Sequence, residues 1–232
     1  MLVAIDSSTD TASLALAKDG RVLAQVSWRC GQNHSVELLP RLVRLLDEAK
    51  VSLKDTSGVI VAKGPGSFNG LRVGLSTAKG LAFSLSVPII GISSLEMEAH
   101  RHAGTGLPIC PIFNAGRGEI AAALYRKKDD GWRQLTPEHI TTVDALSKEI
   151  SEKTIFCGEY VATIARQLKT RLKEKAVIAP DQMRSAVSLI ELAKPRIDAG
   201  DYDDPATLQP LYLRRPAITK PKHPKYANGG SK

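Results

Sequence analysis

The spacing of apolar residues switches between two periods along the chain. "LVAIDSST" at 2–9 is a short run of β-formers that ends in an acidic and hydroxyl cluster. "TASLALAKDGRVLAQVSW" follows as two alternating runs around "KDG", which predicts an antiparallel hairpin. The period then lengthens: "NHSVELLPRLVRLLDEAK" has helical spacing, with a cap at Asn33 or Ser35. "LKDTSGVIVAKGPG" reads as a buried strand entering a glycine turn, 67–85 as a helix, "PIIGISS" as a strand and "SLEMEAHRHA" as a further helix. After "GTGLP" the plan restarts. "ICPIFNAGRGEIAAALYRKKDDGWRQL" predicts two strands around 114–118 and another turn at "KKDDG". "TIFCGEYVATIARQLKTRL" is strand, loop and helix, and "AVSLIELAKPRIDAG" is another helix.

Each half thus opens with strands joined by tight turns and continues into α/β alternation. The expected fold class is α/β, a two-lobed actin-like architecture of the sugar-kinase and heat-shock-protein type, with duplicated mixed-sheet lobes. A boundary near 104–107 gives a first lobe at 1–103 and a second at 104–213. The stretch 214–232, basic and rich in Pro, Lys and Gly, is expected to be a disordered tail.

Two helices carry more apolar surface than one sheet needs. In 36–50, Val36, Leu38, Leu39, Leu42, Val43, Leu45, Leu46 and Ala49 fill about half the circumference, where a stripe somewhat over ~100° suffices for packing on a sheet. Leu38, Leu42, Leu45 and Ala49 are therefore candidates for a partner interface. The helix after the glycine turn shows small residues at a spacing of four, Gly70, Gly74, Ala78 and Ala82, flanked by Leu71 and Leu75. A glycine inside a helix costs about 0.5–1 kcal/mol relative to alanine, so this row calls for the close approach of another backbone. That neighbour is either the preceding helix of this chain or the same surface of a second subunit.

The candidate chemistry is incomplete. Asp6, Ser7 and Ser8 stand where an actin-like ATPase places its first phosphate turn, and Gly64, Gly66, Ser67 and Arg72 surround a helix start able to receive an anion. However, the glycine turn departs from GxxxxGK[ST], since Asn69–Gly70–Leu71–Arg72 replaces its end. The equivalent turn of the second half has Asn114 in place of a carboxylate, which removes a partner for a nucleotide-bound Mg²⁺. His34, His100, His102, His139 and His223 form no HxxxH or HExxH pair, so no metal site is expected. GxSxG is absent too. The expectation is a catalytically silent protein with no cofactor beyond a vestigial nucleotide site. The alternative is an active ATPase or small-molecule kinase using Asp6, Ser8 and Arg72.

Charge and cysteine usage narrow the setting. Of the net charge of +8, six units come from Arg214, Arg215, Lys220, Lys222, Lys225 and Lys232, so residues 1–204 hold only +2. Such a tail suits RNA or an acidic partner as well as it suits solvent. Three scattered cysteines, Cys30, Cys110 and Cys157, fit a reducing cytoplasm. No apolar run approaches a membrane span, and "MLVAIDSST" has no secretory signal pattern.

"AIDSST", "HSVELLPRLVRLLDEA", "VAKGPGSFNGLRVGLSTAKGLAFSLSVPIIGISSLE" and "LQPLYLRRP" together resemble the TsaB (formerly YeaZ) family, across nearly all of 1–100 and in pieces to Pro216. The resemblance implies an actin-like fold and a non-catalytic scaffold role in making N6-threonylcarbamoyladenosine in ANN-reading tRNAs. It implies a helix bundle with TsaD through the first lobe, or with a second copy when TsaD is absent, and an assembly joined by the ATPase TsaE. TsaD would hold the metal and the transferase chemistry, and tRNA would be met indirectly or through the basic tail. Two departures stand out: Asn69 replaces the family's usual Thr, and "NAGRGEIA" replaces "DARRGEVY", losing an Asp and an Arg.

Overall fold

The computed structural model describes residues 1–129 and 131–214. From residue 215 on, the expected basic tail lies outside the described residues. The first half runs β1 (Leu2–Asp6), β2 (Thr11–Lys18), β3 (Arg21–Arg29), α1 (His34–Ala49), β4 (Gly58–Gly64), α2 (Phe68–Leu85), β5 (Ile89–Ser93) and α3 (Ser94–His100). The second repeats that order: β6 (Ile109–Gly116), β7 (Glu119–Lys128), β8 (Gly131–Thr141), α4 (Val143–Glu149), β9 (Thr154–Cys157), α5 (Val161–Leu172), β10 (Ala176–Ile178) and α6 (Val187–Asp198). Each half forms one five-stranded mixed sheet, ordered β3-β2-β1-β4-β5 and β8-β7-β6-β9-β10. The hairpins pair antiparallel and the remaining strands parallel. This duplicated topology is the actin-like fold.

Period-two alternation decides which helices each sheet receives. Val3, Ile5, Leu14, Leu16, Val59 and Val61 face α1 and α2. Their neighbours Ala4, Ala15, Ile60 and Ala62 face the other way, onto Met97 of α3 and Leu189 and Ala193 of α6. In the second sheet Ile112, Ile120, Ala122 and Phe156 face α4 and α5, while Ile109, Phe113, Ala121 and Tyr125 face Leu95 and Ala99 of α3.

The division at 104–213 therefore needs adjustment. The second sheet and its own helices end at β10, and α6 crosses back onto the first sheet. Beyond it, Asp203 donates its backbone N–H to Ile89 and Leu211 donates to Lys63, at 2.9 and 2.7 Å. Leu208 is part of the first core. The physical reason is that both faces of the first sheet are apolar, and α3, itself buried on two sides, covers only part of the second face.

Candidate functional site

The glycine turn and the Asp6 turn are built against each other. Gly64 has φ +110°, a conformation L-residues rarely adopt, and a Cβ there would meet the Leu211 carbonyl at 2.8 Å. At Gly66 a Cβ would lie 2.0 Å from the Ser8 carbonyl oxygen, which accepts a 2.6 Å hydrogen bond from Ser67 N–H. Ser67 caps α2, its hydroxyl accepting from Gly70 N–H at 3.4 Å. Further along, a Cβ on Gly70 would lie 2.2 Å from the Ser7 carbonyl oxygen, and one on Gly74 would lie 2.1 Å from Ser7 Oγ. The close neighbour demanded by the small-residue row is thus the Asp6–Ser8 turn of the same chain.

The expected anion residues come together, apart from Arg72, and they satisfy one another. Ser7 Oγ donates to the Gly70 carbonyl at 2.8 Å. Ser8 donates to Asp6 Oδ1 from its N–H at 3.0 Å and from its hydroxyl at 2.7 Å. The other Asp6 oxygen accepts from Arg184 Nη2, which also donates to Ser8 Oγ at 2.7 Å. Arg184 is 3% exposed and Asp6 fully buried. Burial works against the guanidinium charge, but Asp6, Glu159 and Glu98 outweigh it and hold the proton more tightly than usual. A buried cation of the chain itself thus stands against the carboxylate on which a nucleotide-bound metal would depend. Arg72 lies elsewhere, exposed, 3.9 Å from the Phe68 ring centre, with Nε donating to Tyr212 at 3.4 Å. In the second half Asn114 caps its own turn by accepting from Gly116 N–H at 2.8 Å.

Sequence reasoning missed Arg184. It lies 178 residues from Asp6, in a loop whose composition gives no hint of its partner. Glu98 was missed as well. It is 3% exposed on α3, and burial pushes its carboxyl up to about 7 against the opposing pull of Arg184 and Arg101. A signal for Glu98 existed, because Leu95, Met97 and Ala99 place apolar residues on several sides of one short helix.

The expected interface residues also move. Leu38, Leu42, Leu45, Gly70, Leu71, Gly74, Leu75, Ala78 and Ala82 are all buried in this chain, and Ala49 is partly so. Leu38, Leu42, Leu45, Leu75, Ala78 and Ala82 join α1 and α2 to the sheet, while Gly70 and Gly74 lie against Ser7 and Leu71 against Gly64. The reason is geometric: the row that looked surplus on the wheel fills the crease between two adjacent helices. What α1 and α2 leave outside is a different set, Val36 at 67% exposure, Leu39 at 49%, Val43 at 57% and Phe83 at 82%. The equivalent helices of the second half form an internal control. Among their exposed residues, α4 and α5 present Asp144, Lys148, Glu149, Arg166, Gln167 and Lys169, and nothing apolar larger than alanine.

Comparison with known proteins agrees with this architecture. The family model described as TsaD, tRNA N6-adenosine threonylcarbamoyltransferase, matches residues 28–220. The chain is 35% identical over 181 residues to the tRNA threonylcarbamoyladenosine biosynthesis protein TsaB of Bacillus subtilis, covering 76% of this chain and 79% of that protein. To TsaB of Buchnera aphidicola subsp. Schizaphis graminum it is 29% identical, covering 85% and 97%. The solved structure of YeaZ from Pseudomonas aeruginosa superposes with a TM-score of 0.77 at 25% identity, covering 91% and 99% of the two chains.

Proposed function

Because this chain belongs to the TsaB family, we propose that it serves the formation of threonylcarbamoyladenosine in tRNA as a non-catalytic scaffold that docks TsaD through the outer face of α1 and α2. The observation that carries this reading is the contrast between the two halves. Helices in equivalent positions of one duplicated fold present charge in the second half and Val36, Leu39, Val43 and Phe83 in the first. Large apolar side chains left half-exposed or more on adjacent helices mark a surface meant for cover. The pairing of Asp6 with Arg184 supports catalytic silence, and the scaffold then works without a nucleotide of its own. A second copy covers the same face when TsaD is absent, TsaE joins the assembly, and the basic residues beyond 214 reach tRNA. No helix among the described residues is long and apolar enough to cross a membrane, which fits work on tRNA in the cytoplasm.

Size-exclusion chromatography of the chain mixed with its cognate TsaD tests this. A heterodimer at micromolar concentration is expected, lost in Val43→Glu/Phe83→Glu while far-UV circular dichroism and the melting temperature stay put. A heterodimer that survives both changes refutes the proposed face. Gly74 variants do not probe docking, since a Cβ there strikes Ser7.

A further inference from the structure

Glu98, His102 and Cys157 meet where the two halves join. Glu98 lies on α3, His102 in the turn just after it, and Cys157 is the last residue of β9. Each offers one ligand atom, and these atoms all lie within 4.8 Å of one another. The edges of a zinc tetrahedron built from sulfur, nitrogen and oxygen are about 3.4–3.6 Å, so a contraction on the order of an ångström would close the set. Thiolate, imidazole and carboxylate together suit Zn²⁺ or a neighbouring transition ion and are foreign to Mg²⁺ and Ca²⁺.

A second observation points the same way. Glu98 Oε2 is fully buried and has no hydrogen-bond partner, while Oε1 faces Arg101 Nη1 at 3.6 Å. Buried polar atoms are nearly always partnered, so Glu98, whose carboxylate converges with an imidazole and a thiol and keeps one oxygen unpaired, has a coordination position free for an ion. We propose that Glu98, His102 and Cys157 bind one Zn²⁺-class ion, which pins the last helix of the first half to the sheet of the second.

The charges balance. The Glu98 carboxylate and the Cys157 thiolate offset the ion, which leaves Asp6 and Glu159 as the anions that balance Arg184 and Arg101. Burial and Arg101 hold His102 below its ordinary value, so its ring is a neutral ligand near pH 7. Burial likewise holds the Cys157 thiol protonated. When the metal binds, the thiol proton, the proton that Glu98 carries part of the time near neutral pH and the displaced water ligands pass to solvent. The site is distinct from the Asp6–Arg184 pair and does not depend on the scaffold reading.

Cobalt is the probe. The purified full-length chain, stripped with a chelator and titrated with Co²⁺ alone, should take up one equivalent and show a thiolate-to-cobalt charge-transfer band that Zn²⁺ abolishes. Cys157→Ser should remove the band, and Cys30→Ser should leave it intact. His102→Ala changes a half-buried residue outside the helices and sheets, and it should weaken Co²⁺ binding by more than about tenfold with the fold preserved. This variant keeps the test decisive if Cys157→Ser fails to fold. Absence of a thiolate band at one equivalent, or unchanged affinity in a folded His102→Ala, overturns the site.

Discussion

Replacing Arg184 with Met removes one partner of a buried ion pair and keeps most of the side-chain volume. Asp6 would then be a fully buried carboxylate held only by the N–H and hydroxyl of Ser8. Breaking a buried pair from one side costs about 3–5 kcal/mol, because the remaining charge is left uncompensated. At about 2–4 °C per kcal/mol for a chain of 150–250 residues, the melting temperature should fall by roughly 6–20 °C. Asp6→Asn/Arg184→Met deletes both charges and should be less destabilised than Arg184→Met alone. Urea unfolding of the four proteins, followed by circular dichroism with the slope checked for constancy, gives the coupling energy. A coupling above about 2 kcal/mol is expected by the same reasoning. Effects that add to within about 0.5 kcal/mol, or an Arg184→Met variant as stable as the parent, would show that the pair does not hold the Asp6 turn.

Calorimetry with Mg-ATP on the unaltered chain should show no tight binding, because Arg184 already neutralises Asp6; tight binding lost in Asp6→Ala would revive the ATPase alternative. Two glycines of α2 should respond oppositely to alanine. Gly74→Ala forces Ser7 aside and should cost about 1–3 kcal/mol, whereas Gly80, with nothing within 4 Å of a Cβ, should gain about 0.5–1 kcal/mol. Equal effects by urea unfolding would contradict the packing described for the row. Burial pushes the Cys30 thiol up to about 11, so its thiolate at pH 8 falls to about one part in a thousand, against about a quarter for an ordinary cysteine. Cys30 should therefore react with a thiol reagent at least about a hundredfold more slowly in the native chain than in denaturant, and reaction at the free-thiol rate would disprove its burial.

The sequence patterns carried the repeat well. The hairpin at "KDG", the strand–helix order of the first half and the helices at 161–172 and 187–198 are local features, set by turn chemistry and periodicity, and they appear in the structure within a residue or two. Short α4 and three-residue β10 escaped notice because neither carries a full period of apolar residues. The failures at the site have one cause. A helical wheel counts how much apolar surface a helix has and says nothing of which neighbour covers each part. On the wheel Leu38, Leu45 and Ala49 form an edge that either meets a partner or packs on the neighbouring helix; the structure buries Leu38 and Leu45 on the inner side, and Val36, Leu39 and Val43 are the residues left in solvent. In the same way a glycine turn leading into a helix looks like an anion cradle until its occupant is known, and here that occupant is the Ser7–Ser8 backbone.

The placement of α3 and α6 bears on how such a protein can work. Nucleotide-driven members of two-lobed folds need lobes able to move as bodies about a narrow hinge. In this chain Met97 of α3 is buried in the core of the first sheet, while Leu95 and Ala99 of the same helix are buried in the core of the second. The last helix of the second half, α6, packs on the first sheet. Opening the lobes would therefore pull α3 out of one core or the other and expose several fully buried apolar side chains, at about 1.5–3 kcal/mol for each large one. A duplicated fold whose halves share a helix in this way is stiff at its centre, with Arg184 and Asp6 buried beside that helix. Stiffness is a liability for a motor and an asset for the docking platform we propose, since it would keep Val36, Leu39, Val43 and Phe83 in one fixed arrangement.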